Sequence, residues 1–315
     1  MLHLAQTKAK SKASFWSLVK RDWLLLAIIA IPVLYYVIYR YVPMVGILMA
    51  FQQVPRRGSF FSIFTNNWIG FENFIRFFQS PYFWRLLSNT FLISLFGILW
   101  SFPVPIIFAI MLNEIKNIKY QRTIQTISYM PYFISLVVAV GIVVNFLNPQ
   151  DGIVNLILNK FGVASADFLH DPKYFRTIYI VSGIWQSYGY SAIIYIAAIT
   201  SIDPQLYEAA KIDGASKMQQ IRHITFPCMI PTIIILLILS LGNLLNVGFE
   251  KVLLLYSPST YSTADVISTY VYRVGIVETN FGFGTAIGLF NSVINFVFII
   301  VFNRIARSAS GISLW

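Results

Sequence analysis

Charged residues are scarce in this chain. Aspartate, glutamate, lysine and arginine make up 11% of its 315 residues, whereas hydrophobic residues make up 57%. A soluble domain is ordinarily about 25% charged, so this composition excludes an ordinary soluble fold of this size. The scarcity of charge therefore predicts an integral membrane protein.

Cysteine and histidine are nearly missing, with one and three residues. The single cysteine, Cys228, excludes a disulfide framework. The histidines are too scattered to suggest a metal site or a catalytic triad, and neither H-E-x-x-H nor G-x-S-x-G occurs. No G-x-x-x-x-G-K-[ST] phosphate loop is present either. We therefore expect no catalytic, cofactor-binding or metal-binding residues in this chain.

Six apolar stretches approach or reach the ~20 residues that a membrane-spanning helix needs. They are residues 23–39, 86–113, 123–147, 177–202, 225–249 and 279–303. The first is the shortest, and Arg40 follows it at once. The second contains Pro103 and Pro105, which predict a kink or a short break.

The predicted membrane topology explains the net charge of +11. Lysine and arginine are denser in segments 1–22, 113–123, 200–228 and 304–315 than in segments 40–85, 148–176 and 250–278. Because cytoplasmic flanks carry the excess of positive charge, both termini are predicted to be cytoplasmic. Residues 11–22 alternate basic and aromatic groups, which suits either a short interfacial helix or simple anchors at a span entrance. A nucleic-acid partner is not expected.

A polar segment, residues 203–228, precedes the fifth apolar stretch. Asp203 and Pro204 have the pattern of a helix start, and Gly214 suits a left-handed turn. Ser216 and Gln219 have the spacing of a capping box. The pattern predicts a helix, a sharp turn, a second helix and then the span. A plain connection needs about 2–8 residues, so an ordered segment of this length is expected to contact a partner.

This segment resembles the EAA signature of ABC-importer permease subunits. The signature reads Glu-Ala-Ala, three residues, Gly, nine residues, Ile, one residue, Leu and Pro. The corresponding residues here are Glu208, Ala209, Ala210, Gly214, Ile224 and Pro227, and Asp213, next to the glycine, is a further candidate for coupling to the ATPase. Phe226 stands where the family usually has leucine. The runs YVPMVGILMAFQQV and WIGFENFIRFF are similar to LplB-like oligosaccharide permeases of the carbohydrate branch.

The resemblance implies an all-α integral membrane fold of six transmembrane helices, with the type I importer (MetI-like) architecture. The membrane domain would be residues 23–303, between a cytoplasmic segment 1–22 and a tail 304–315, in the bacterial cell membrane. It also implies a second homologous permease subunit, two ATPase subunits that bind ATP and Mg, and an extracellular solute-binding protein that delivers an oligosaccharide. In that family the EAA segment is the coupling helix, which docks on the ATPase.

A sugar path needs amides and aromatic rings, because sugars present hydroxyl groups and apolar faces. Candidate path residues share faces on the fourth, fifth and sixth spans. They are Trp185, Tyr188 and Tyr190, then Asn243, Asn246 and Glu250, then Asn291 and Asn295. Polar residues at such spacing can equally join helices, and Glu250 could instead contact the binding protein.

Two other classes of protein remain as alternatives. An ion-coupled secondary transporter usually needs an intramembrane carboxylate or histidine, at a cost of ~2.5–3.5 kcal/mol per charge. None of the twelve acidic residues lies in the centre of a predicted span. A polytopic membrane enzyme is the second alternative. Dependence on a partner ATPase would discriminate the importer subunit from both.

Overall fold

The computed structural model describes residues 15–55, 63–242 and 244–311. The regular elements in these ranges are helices, and their β pairing is limited to an isolated antiparallel bridge between Gln52 and Trp68. The predicted all-α class is therefore confirmed. The chain divides into two units, residues 1–48 and 49–315, which are described separately.

The first unit consists of a short helix and the start of a long apolar one. Helix α1 (Phe15–Arg21) falls within the predicted interfacial helix, of which residues 11–14 lie outside the described ranges. Helix α2 (Trp23–Tyr36) continues through a π-helical turn and α3 (Val42–Met44) into a 3-10 segment that ends at Phe51. The predicted end at residue 39 is wrong, because the helical backbone continues past Arg40 and Pro43 as far as Phe51.

The second unit begins with α4 (Glu72–Phe78), α5 (Phe83–Ser101) and α6 (Pro103–Asn113). Phe102 alone separates α5 from α6, and together they form an apolar helix of 31 residues. The predicted kink or short break is therefore limited to this one-residue interruption at Phe102. Pro103 takes the first position of α6, a position where proline is favoured.

The third predicted span, 123–147, is sharply bent. Helix α7 (Ile118–Tyr129) and a 3-10 turn lead to α8 (Leu136–Phe146), with a bend of 99°. Ile134 is extended, and the Ser135 hydroxyl accepts a hydrogen bond from the Val138 N–H at the start of α8. The expectation of one uninterrupted helix is therefore wrong here, because a serine N-cap starts a new helix.

Helix α9 (Ile153–Lys160) precedes the central helix of the unit, α10 (Pro172–Thr200). The Asp171 carboxylate caps α10 by accepting a hydrogen bond from the Lys173 N–H. With 29 residues, α10 is about 43 Å long. It packs against α5, α6 and α7.

The polar segment and the fifth apolar stretch form four helices. They are α11 (Pro204–Ile212), α12 (Lys217–Gln220), α13 (Phe226–Gly242) and α14 (Phe249–Leu255). A π-helical turn joins α12 directly to α13, so the second polar helix is the start of the span itself.

The fifth span ends earlier than predicted. Helix α13 stops at Gly242, and residues 244–248 are not helical. The Asn295 carboxamide oxygen accepts a hydrogen bond from the Leu245 N–H (2.9 Å), which stabilises the non-helical backbone. The predicted helical face of Asn243, Asn246 and Glu250 is therefore wrong.

The chain ends in α15 (Tyr261–Ala264), α16 (Ile267–Val271) and the 30-residue α17 (Phe281–Ser310). Three apolar clusters hold the unit together. One joins α4, α5, α16 and α17, the second joins α5, α8, α10 and α14, and the third joins α6, α10 and α13.

Four helices in the described ranges are long and apolar enough to cross a membrane, and the bent α7–α8 pair makes a fifth if it counts as one span. Helix α10 has the length but is less apolar. The count of six spans and the cytoplasmic position of both termini stay predictions.

Candidate functional site

The first part of the polar segment is a helix fixed at both ends. The Asp203 carboxylate accepts a hydrogen bond from the Gln205 N–H (2.9 Å) at the start of α11. At the other end Gly214 is left-handed, with φ of +76°. Its N–H bonds to the Lys211 carbonyl and the next N–H bonds to the Ala210 carbonyl, which is a Schellman motif. Both predicted ends of this helix are confirmed.

The second part, α12, begins with the predicted capping box. The Gln219 carboxamide accepts from the Ser216 N–H (2.6 Å), and the Ser216 hydroxyl accepts from the Gln219 N–H (3.4 Å). The buried Gln220 donates to the Ala215 carbonyl (2.9 Å), bracing the turn. Residues 203–225, here called the coupling segment, thus have ordered backbone throughout.

Two side-chain contacts tie the coupling segment to itself and to the bundle. The Tyr207 and Thr225 hydroxyls lie 2.9 Å apart, joining α11 to the start of α13. The Lys217 ammonium lies 2.9 Å from the Glu114 carboxylate, immediately after α6. Displacing this segment would therefore displace α13 and the end of α6.

The predicted coupling residues lie largely at the surface. Glu208, Ala209, Asp213, Gly214 and Pro227 are exposed, and Ala210 and Ile224 are half-buried.

Three apolar residues of the coupling segment, which the sequence analysis missed, are also exposed. Leu206 is 47% exposed, Ile212 87% and Met218 71%. The available signal was that these apolar residues stand in an otherwise polar segment. Such side chains suit contact with a partner.

A cavity of about 790 Å³ lies between α5, α10 and α13. Aliphatic residues, glycine and proline supply half of its lining, hydroxyl, amide and aromatic groups supply the rest, and no charged residue belongs to the lining described. The polar and aromatic lining residues are Ser94, Ser101, Ser187, Ser191, Ser240, Asn246, Phe102, Tyr132, Tyr179, Tyr190 and Tyr195. Tyr132 and Tyr190 stack face to face, with ring centroids 3.9 Å apart. These groups match the hydroxyls and apolar faces of sugars.

Residues 101–311 match the model of the family described as the binding-protein-dependent transport system inner membrane component. The chain belongs to this family. It is therefore a multi-pass permease of the cell membrane, and the matched region includes the coupling segment and all of α10.

Two curated relatives extend over nearly the whole permease. The polygalacturonan/rhamnogalacturonan transport system permease protein YteP of Bacillus subtilis is 38% identical, covering 95% of this chain and 92% of the relative. Protein LplB of the same organism is 38% identical, covering 93% and 92%. The similarity to LplB-like permeases predicted from the sequence is confirmed.

A solved structure shares both sequence and fold with the permease. It is a bacterial ABC transporter involved in the import of the acidic polysaccharide alginate. The match has 44% identity and a TM-score of 0.87, covering 94% of this chain and 99% of the other. The chain is thus a transmembrane permease subunit of an ABC importer.

The predicted path residues divide among different positions in the permease. Tyr190 and Asn246 line the 790 Å³ cavity. Trp185 lines a second cavity, of about 500 Å³, with α8. The Tyr188 ring packs edge-on against Phe108, with centroids 5.1 Å apart.

The remaining path residues have other surroundings. The Asn295 carboxamide oxygen accepts a hydrogen bond from the Leu245 N–H. Asn291 and Glu250 line neither of the two described cavities. Asn243 lies outside the described residues. For all eight residues, a role in the sugar path stays a prediction.

Proposed function

We propose that the permease imports an oligosaccharide with energy from partner ATPases, received through the coupling segment. A second homologous permease would complete the path, two ATPase subunits would bind ATP and Mg, and an extracellular binding protein would deliver the sugar. The observation that carries this proposal is the rigid, capped coupling segment continuous with α13.

Rigidity is what a mechanical coupling element needs. The Asp203 cap, the Schellman motif at Gly214 and the Ser216 capping box each pair backbone groups that would otherwise be free. Since α12 runs into α13 without a break, a displacement of the segment reaches the helix beside the cavity. Packed helices respond to such a displacement by switching between discrete arrangements.

The exposed surface of the segment suits a protein partner. Leu206, Ile212 and Met218 offer apolar area, while Glu208 and Asp213 offer charge. Ala209 is small and lets a partner approach the α11 backbone closely. Lys211 and Arg222 are exposed on the same segment, so an ATPase cleft lined with apolar groups and rimmed by charges of both signs would match this surface.

The oligosaccharide cargo is supported by the cavity and by the relatives. The cavity offers hydroxyl, amide and aromatic groups. A polygalacturonan/rhamnogalacturonan permease and an alginate importer are similar to nearly the whole chain.

The test is a Gly214→Val substitution in proteoliposomes that contain the complete importer. No atom lies within 4 Å of a Cβ added at Gly214, so the substitution acts through the backbone, whose φ of +76° a β-branched residue resists. We expect assembly to persist, and ATP hydrolysis to continue while sugar uptake per ATP falls about tenfold, since ~1–2 kcal/mol of strain disturbs the turn.

Gly162→Val is the matched control. Gly162 has the same φ of +76° and equally open surroundings, but it follows α9, away from the coupling segment. Its uptake per ATP should equal that of the wild type. Normal coupling in Gly214→Val would refute the proposed role of the segment.

A further inference from the structure

Positive charge accumulates at the N-terminal end of α10, the end opposite the coupling segment. Arg85 of α5 and Arg273 after α16 pair with one buried carboxylate, Asp265, and Arg176 of α10 is connected to the same residue only through Asn89. The Asp265 carboxylate lies 2.6 Å from Arg273 and 3.5 Å from Arg85. The three arginines and Asp265, here called the arginine cluster, retain a net positive charge.

Some N–H groups of the arginine cluster have no hydrogen-bond acceptor. Arg176 donates one hydrogen bond to the Asn89 carboxamide (2.9 Å), and Asn89 in turn donates to the Asp265 main-chain carbonyl. The Nε–H groups of Arg85 and Arg176 are buried, yet neither has a hydrogen-bond acceptor. A buried donor without an acceptor costs ~1–3 kcal/mol, so a movement of these two side chains towards an incoming acceptor would be favourable.

Aromatic rings border the same cluster. The Arg85 guanidinium lies over the Tyr82 ring, and the Arg273 guanidinium lies between the Tyr261 and Tyr270 rings, all within 5.3 Å of the centroids. Guanidinium groups bind carboxylates in bidentate fashion, and aromatic rings stack on the apolar faces of sugars. The combination suits a sugar that carries carboxylates.

A fourth cation, Lys251 of α14, lies against α10 at Tyr179. It is 9% exposed, and its ammonium donates to the Tyr179 carbonyl (2.7 Å) and lies 4.8 Å from the centre of the Tyr179 ring. Among the described residues no carboxylate lies within ion-pair distance of it. A buried charge without a counter-ion is costly and marks a functional position in a membrane protein.

Gly183 of α10 has no side chain, and this leaves room for the Lys251 ammonium beside the helix. A Cβ added at Gly183 would lie 3.0 Å from the Lys251 ammonium. Arg176, Gly183 and Ser187 share one face of α10, because their spacing of seven and four residues matches whole helical turns. Ser187 lines the cavity, and so does Tyr179. Along this face of α10 the cations therefore come before the cavity. Arg176 and Ser187 are separated by about 16 Å along the helix axis.

We propose that the cargo is an anionic oligosaccharide, of the uronic-acid class, whose carboxylates the arginine cluster binds first and Lys251 binds next at the approach to the cavity. This inference rests on the proposed function. Inside the cavity the uncharged hydroxyls and rings would release the carboxylates, since no fixed cation retains them there.

The test is equilibrium binding of two matched sugars to the purified importer, with its second permease and ATPase subunits but without the binding protein. The probes are a galacturonic-acid trimer and the same trimer with its carboxyl groups reduced to alcohols. Omitting the binding protein removes that protein's own selectivity. We expect the acidic trimer to bind at least about tenfold more tightly, because a hydrogen bond to a charged group contributes ~1.5–3 kcal/mol.

Lys251→Met should reduce that preference while leaving the affinity for the reduced trimer unchanged, and Lys251→Arg should retain it. Lys173→Met is the control, because Lys173 is an exposed cation at the same end of α10, paired with Asp171. Equal binding of the two trimers, no binding of either, or an equal loss for both in Lys251→Met would overturn the inference.

Two outcomes separate this inference from others. If arginine-cluster substitutions weaken only docking of the binding protein, the cluster is a protein contact and the inference is wrong. If ATP-driven uptake occurs while the two trimers bind equally, the proposed function stands and the inference fails. If the importer prefers the acidic trimer but shows no ATP-driven uptake, the inference stands and the proposed function fails. The comparison of the two trimers on the unaltered importer requires no variant to fold.

Discussion

Asp265 shows at the scale of one residue how the permease tolerates a buried charge. Its carboxylate is fully buried and accepts hydrogen bonds from Arg273 and from the Thr269 hydroxyl (2.9 Å). These bonds compensate for the lost hydration, and the arginines in turn stabilise α16 against α5. The carboxylate is therefore expected to be structural.

Asp265→Asn should lower the free energy of unfolding of the permease by about 3–5 kcal/mol, because it leaves the arginine charges without a counter-ion. Thermal unfolding of the purified importer measures this. Asp171→Asn is the control: it alters an exposed pair, and asparagine caps a helix as well as aspartate does. An unchanged midpoint in Asp265→Asn would contradict the structural role.

The exposed Asp171 also gives a pH dependence with a defined sign. The Lys173 N–H, and then its ammonium, hold the pKa of Asp171 below its ordinary value. A lowered pKa means that the cap stabilises α10 above the ordinary carboxyl range and that this stability is lost as the pH falls through the lowered value. Asp171→Asn should remove this acid dependence, which unfolding measured across pH would detect.

Among whole elements, the approach of α10 to α7 depends on the absence of a side chain. A Cβ added at Gly189 would clash with the Ser128 backbone carbonyl. Backbone cannot move aside as a flexible side chain can, so the two helices pack this closely only with glycine at the contact.

Gly189→Ala should destabilise the permease by about 1–3 kcal/mol or more through overpacking. Gly97→Ala in α5 is the matched control, because nothing lies within 4 Å of its added Cβ. We expect that control to be neutral or slightly stabilising, since alanine favours a helix more than glycine does. Equal yields and unfolding midpoints for the two variants would show that α7 and α10 can separate without cost.

For the whole molecule, the decisive property is dependence on partners. The sequence contains no phosphate loop, and the cavity lining described has no titratable carboxylate or histidine for ion coupling. In liposomes, the chain alone should move no sugar with either a proton or a sodium gradient. Adding the second permease, the ATPases, the binding protein and ATP should restore uptake. Gradient-driven uptake by the chain alone would support a secondary transporter instead.

Local sequence patterns were sufficient to predict the backbone structure of the coupling segment. Asp203, Gly214, Ser216 and Gln219 each specify their own backbone geometry through contacts within a few residues, so their roles could be predicted. The proline break before α6 followed from the same kind of local chemistry. The class of protein followed from the scarcity of charge, since the bilayer selects composition directly.

The tertiary structure decided what depends on distant residues. Beyond the end of α13, the Leu245 N–H is bound by Asn295, fifty positions away along the chain, and the bend at Ser135 separates what hydropathy alone reads as one span. The arginine cluster and Lys251 were not predicted because their members come from α5, α10, α14 and the segment after α16. Hydropathy and capping patterns are local, whereas burial and charge pairing arise only when those helices pack together.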